Sequence, residues 1–292
     1  MTYIDVPNKK QKHPHYEHRT AKLDKQNQEF SKKAFQQLRK YSTHKKIIKA
    51  LSRISMCVND KKSENIQTDR LTKVCFILCN TYDRNDYNLG VGPLNDALMI
   101  ASQHHRLGYE VFYLHNPRKT EFTNYCDFFL KNTQKSLTIF YSGRGKTVAG
   151  SIDGEMCSNI NAIVFDCGMI VEDELSKILS QNPNGKAKIT LITDSCNGGS
   201  PWNLASVLKE NHNYNSKIVS LSISNNLPES ETTAIDKKCQ GLFTYYFCKY
   251  LTESPEIDPS SLCAKINPSL KRFNECVIFE RTTKDLESIP LL

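Results

Sequence analysis

The chain has 292 residues, with 39 Lys and Arg against 31 Asp and Glu, a net charge of +8. That length suits one large α/β domain with an extension. No apolar run approaches the ~18–20 residues that a membrane-spanning helix needs, and the N-terminus carries no apolar stretch of the kind a secretory signal requires. The eleven cysteines are scattered, with no CxxC and no Cys/His pair at zinc spacing. A reducing, cytoplasmic setting with free thiols is expected, most of them small core residues.

In chain order, residues 1–62 hold 16 Lys/Arg and 5 Asp/Glu, so the basic character belongs to this segment and the remainder is slightly acidic. Residues 1–69 are expected to be a basic extension. Its first 30 residues are too polar to order on their own. An amphipathic helix is expected within 31–56, with Phe35, Leu38, Ile48, Leu51 and Ile54 on one stripe. A polar linker follows it. The basic faces could dock on an acidic surface, but no nucleic-acid motif or aromatic interleaving accompanies them. A helix packed on its own domain is the preferred reading.

From residue 70 to 292 strands and helices alternate. Strands are expected at 73–80, 109–116, 136–142, 188–194 and 217–224, with an edge strand at 275–280. Helices are expected at 94–107, 121–132, 171–181, 202–211 and 241–252. Continuous apolar strands between amphipathic helices predict a mostly parallel, six-stranded sheet covered on both faces, a three-layer αβα sandwich. Sites in such sheets lie beyond the carboxyl ends of the strands. Two stretches end there in glycine-rich turns: FYSGRG, with Arg144 at its tip, and DSCNGG, with Cys196 at its tip. Neighbouring strands would bring these tips ~5 Å apart.

The paired motifs resemble those of the caspase–metacaspase superfamily (peptidase family C14), and most closely the metacaspases. The resemblance runs from Thr72 to the C-terminus. It implies a caspase-like fold, cysteine-type endopeptidase chemistry and cleavage after Arg or Lys. Cys196 then stands as the nucleophile and Gly143 in the oxyanion region. Arg144 falls where the family's SGHG motif has the catalytic histidine. A guanidinium stays protonated and cannot shuttle a proton, although its charge would favour the Cys196 thiolate. His115 is expected three strands from Cys196, ~14 Å away. His104 and His105 sit late in a helix, far from the strand tips, and His212 at the opposite end. His13, His15, His18 and His44 belong to the extension.

By the same resemblance Asp96, Ser142 and Asp194 form a pocket for a basic substrate side chain, with Pro93 where the family has a cysteine. The plainer readings are a helix-dipole acid for Asp96 and a turn acid for Asp194. No cofactor is required. Calcium is the one ion implied, through Glu172 and Asp173, in a site depleted by Asn203 and by CSNIN at 157–161. As plain helix-terminal acids, Glu172 and Asp173 need no ion. The expected partner is a peptide or protein with a basic residue. The rival expectation is a pseudopeptidase that binds such a peptide, or an active paralogue, and regulates it.

Overall fold

The computed structural model describes residues 44–82, 88–152, 155–196, 199–211, 214–225 and 241–292, the segments 150–152 and 155–159 and residues 196, 224 and 225 by backbone only. The chain divides into two compact units, Met1–Ser42 and Thr43–Leu292. The first unit lies outside the described residues, as do residues 31–43 of the expected amphipathic helix.

The second unit opens with α1 (His44–Leu51) and the short β1 (Met56–Cys57). β2 (Lys73–Cys79), α2 (Gly92–Arg106), β3 (Glu110–His115) and α3 (Lys119–Asn132) follow. Next come β4 (Ser136–Ile152), β5 (Glu155–Phe165), β6 (Gly168–Val171) and α4 (Glu172–Gln181). β7 (Lys188–Cys196), α5 (Leu204–Glu210), β8 (Lys217–Asn225), α6 (Leu242–Glu253), α7 (Pro259–Leu270) and β9 (Glu275–Arg281) complete it. The central sheet runs β1-β3-β2-β4-β7-β8-β9, parallel except for β9.

Both faces are covered, which is why the strands read as unbroken apolar runs. In β2, Cys75, Ile77 and Cys79 pack against α1, α2, α6 and α7. The alternate residues Val74, Phe76 and Leu78 pack against α3, α4 and α5. The architecture is the expected αβα sandwich. Its central run has one strand more than expected because β1 adds a two-residue edge beside β3, where Met56 pairs with Phe112, and the unexpected β5 and β6 extend antiparallel from β4.

Residues 44–69, expected within the extension, are part of this unit. Ile47 and Leu51 of α1 are fully buried in the core, and Ile48 and Ile54 pack beside them. The apolar contact therefore includes Ile47, outside the anticipated stripe.

A second difference lies at FYSGRG. It is not a turn. β4 runs on for 17 residues, leaves the central sheet after Arg144 and pairs antiparallel with β5, beginning at Gly145 opposite Ile163. The motif sits where one strand passes from a parallel neighbour to an antiparallel one.

Candidate active site

Parallel pairing of β4 with β7 sets the site. The register places Phe140 opposite Ile192, Ser142 opposite Asp194, and Arg144 opposite Cys196. Phe140 and Ile192 face the α2/α6 side of the sheet, so the two-residue period puts Ser142 and Asp194 on that side too. Asp96 of α2 meets them there. Ser142 Oγ donates to Asp96 Oδ2 at 2.7 Å, and the Gly241 N–H donates to Asp96 Oδ1 at 2.7 Å. Asp194 Oδ2 accepts the Thr244 N–H at 3.0 Å and the Thr244 hydroxyl at 2.6 Å. The start of α6 thus supplies donors to both carboxylates.

Burial pushes the Asp96 carboxyl well above the usual range, and the neighbouring Asp194 charge adds to it. Burial raises Asp194 as well. Two enclosed like charges favour a shared proton unless a cation joins them. This arrangement suits an incoming guanidinium or ammonium group. Asp96 is buried and bonded across to β4, and Asp194 takes its described bonds from the start of α6.

A second group holds the Arg144 backbone. Tyr82 follows β2 in the left-handed region, with φ 61°. Its hydroxyl accepts the Arg144 N–H at 2.6 Å and donates to the Val164 carbonyl at 3.0 Å. The Tyr141 hydroxyl donates to the Arg144 carbonyl at 2.6 Å. Between them lies Gly143, where a Cβ would stand 2.6 Å from the Tyr141 hydroxyl oxygen and 2.9 Å from that of Tyr82. Only glycine fits there.

No described histidine stands at the β4 or β7 tip. His104 is buried in α2 between the Ile100 carbonyl and the Thr138 hydroxyl, and burial pushes it down to about 4, so it is neutral at physiological pH. His115 ends β3, three strands from β7, with Nε2 2.8 Å from Thr81 Oγ1. His44 lies against it, ring centroids 6.4 Å apart. His105 is exposed on the last turn of α2. His13, His15, His18 and His212 are outside the described residues.

Glu172 and Asp173 open α4. Glu172 bonds Asn161 and Asn203, and Asp173 is exposed. Pro93, where the family has a cysteine, is buried in the first turn of α2, and Asn197 of DSCNGG lies outside the described residues.

Sequence reasoning missed Tyr82, Gly241 and Thr244. Tyr82 sits in a polar stretch without periodicity. Gly241 carried one usable signal, a glycine just before an apolar helix. A Cβ there would collide with the Asp194 carboxylate.

The caspase domain family (peptidase family C14) matches residues 72–290. The chain belongs to that family. Among solved structures, protein GSU0716 from Geobacter sulfurreducens is similar at 14% identity and a TM-score of 0.56, over 75% of this chain and 97% of that one. The Drosophila initiator caspase Dronc is similar at 11% identity and a TM-score of 0.47, over 72% of this chain and 80% of that one. No curated protein sequence matches. The first of these likenesses speaks for a shared fold alone. Among the described residues, no helix is long and apolar enough to cross a membrane.

Proposed function

We propose that this caspase-domain protein is a metacaspase-like cysteine endopeptidase homologue that recognises Arg or Lys and is impaired in hydrolysis. The observation that carries the reading is the register: Arg144 lies opposite Cys196, one row above Ser142 and Asp194. Cys196 is the nucleophile. Its sulfur bonds the scissile carbonyl carbon, and the carbonyl π electrons move to oxygen, which the backbone near Gly143 would receive. Collapse of that intermediate breaks the C–N bond and requires a proton for the departing amine. A guanidinium, unlike an imidazole, has no proton it can hand to a departing amine. Losing general acid–base help costs about 10²–10⁴-fold in rate. Asp96, Asp194 and Ser142 are the specificity groups, and they do not depend on residue 144. A protein that still binds basic peptides and barely cuts them also fits regulation of an active paralogue, which the intact acidic pair favours.

The test is amide hydrolysis of peptides with Arg or Lys before the scissile bond, by wild type, Cys196→Ala and Arg144→His. Arg144→His is expected to raise turnover by about 10²-fold or more, and adding Cys196→Ala to it should abolish the gain. Brisk wild-type turnover that Cys196→Ala removes would overturn the impaired reading. Wild-type turnover that survives Cys196→Ala would overturn the assignment of the nucleophile.

A further inference from the structure

Glu172 is a carboxylate whose two oxygens are both taken by amide donors of the same chain. Oε2 accepts the backbone N–H of Asn161 at 2.9 Å and the Asn161 side-chain Nδ2 at 2.9 Å. Oε1 accepts Asn203 Nδ2 at 3.2 Å. Asn203 has a second bond, because its side-chain oxygen accepts the Ser206 N–H at 3.1 Å and caps α5. Its φ of 40° lies in the left-handed region, which asparagine tolerates. Only an amide can do both. A carboxylate at 203 would keep the cap, lose the donor and set a like charge against Glu172.

The family resemblance implies calcium here, but these residues do not fit the ion. Calcium takes about 6–8 oxygen ligands. At Glu172 the facing atoms are N–H donors, which cannot ligate a cation; they take three of the carboxylate's about four acceptor sites, and the Asn203 oxygen is spent on the Ser206 N–H. Among the described residues, no cluster of three or more His, Cys, Asp or Glu could hold a metal.

Asn203 also anchors the end of the described segment 199–203 that follows β7. A Cβ at Gly199 would stand 2.9 Å from Asn161 Oδ1, so the segment passes close over Asn161. Ser200 Oγ donates to Glu280 of β9. Trp202 is fully buried and donates from Nε1 to Thr193 Oγ1 at 3.1 Å. Asn203 then closes onto Glu172. Gly199 lies close to β5, and Ser200, Trp202 and Asn203 are tied to β9, β7 and α4 in turn.

We propose that Glu172, Asn161 and Asn203 form a metal-independent latch, which holds the segment after Cys196 in place by amide bonds where an ion would otherwise be needed. The latch stands whether or not the chain hydrolyses peptides, so its test does not use activity. Thermal unfolding of the full chain would be followed in EDTA and in millimolar calcium, for wild type, Glu172→Gln and Asn203→Asp. Charge-assisted bonds of this kind are expected to hold the melting temperature up by about 3–10 °C. Both variants should melt that much lower, equally in EDTA and in calcium, and the wild type should melt alike in both. A wild-type rise with calcium that Glu172→Gln removes would overturn the proposal. So would variants that melt with the wild type in EDTA. A calcium rise that persists in Glu172→Gln would put the ion elsewhere and leave the latch supported.

Discussion

Replacing Tyr82 with phenylalanine removes one oxygen from the contact that fixes Arg144. That oxygen accepts the Arg144 N–H at 2.6 Å, and its proton goes to the Val164 carbonyl. Val164 keeps another donor, Asn80 Nδ2 at 2.9 Å, so little is lost there. The Arg144 N–H is left without its acceptor. An enclosed donor without a partner costs about 1–3 kcal/mol. Arg144 is only partly buried, which sets the expectation in the lower half of that range. For a domain of this size the melting temperature would fall by about 2–6 °C. Tyr141→Phe strips the donor from the Arg144 carbonyl instead. A buried carbonyl tolerates that better than an N–H does, so this variant should cost less. The two hydroxyls lie 3.1 Å apart, both within reach of the Val164 carbonyl, so the double variant should depart from additivity by about 0.5 kcal/mol or more. Urea unfolding of the four proteins measures all three quantities. A Tyr82→Phe cost within about 0.5 kcal/mol of zero, or a larger cost for Tyr141→Phe, would refute the reasoning.

Two more predictions concern the acidic face. Burial, and then the Asp194 charge, push Glu275 up to about 7. The folded state therefore holds this proton more tightly than the unfolded chain. The stability tied to it is full below the unfolded value of about 4.3 and is lost as pH rises through about 7. Urea midpoints between those limits should fall less steeply with pH in Glu275→Gln than in wild type, and equal slopes would contradict the assignment. Gly241→Ala would drive a methyl group into the Asp194 carboxylate. It should cost about 1–3 kcal/mol in urea unfolding, and an unchanged midpoint would mean that the start of α6 yields freely.

The sheet was legible because each strand is buried on both faces and each is bounded by helix signals. The strands at 73–80, 109–116 and 188–194 match β2, β3 and β7 closely for that reason. β4 was cut short at Ser142 because SGRG reads as a turn. Its two glycines serve other purposes: Gly143 makes room for two tyrosine hydroxyls, and Gly145 begins the pairing with β5. β1 was invisible because two residues carry no periodicity. α7 was missed as well, with Pro259 at its start, Pro268 inside and only Leu262, Ile266 and Leu270 as its buried apolar spine. The groups from the start of α6 that hold the pocket carboxylates were out of reach for a different reason. Ser142 was reached through the family motif alone, while Gly241 and Thr244 are small residues whose partners are 145 and 50 positions away in sequence. No local pattern encodes such pairs.

On the proposed function, the same register would let recognition and chemistry part company in this chain. Ser142 and Arg144 are two apart on β4, as Asp194 and Cys196 are on β7. The lower row ties to Asp96 and to the start of α6. The backbone of the upper row is tied at Arg144 to Tyr82 and Tyr141, through groups that any residue at 144 would present. A side-chain change at 144 therefore leaves the clasp and the acidic row as they are. Histidine at 144 would inherit a backbone already positioned opposite Cys196. On the proposed function, an altered shuttle would be a change of chemistry at one position, without a collapse of the site around it.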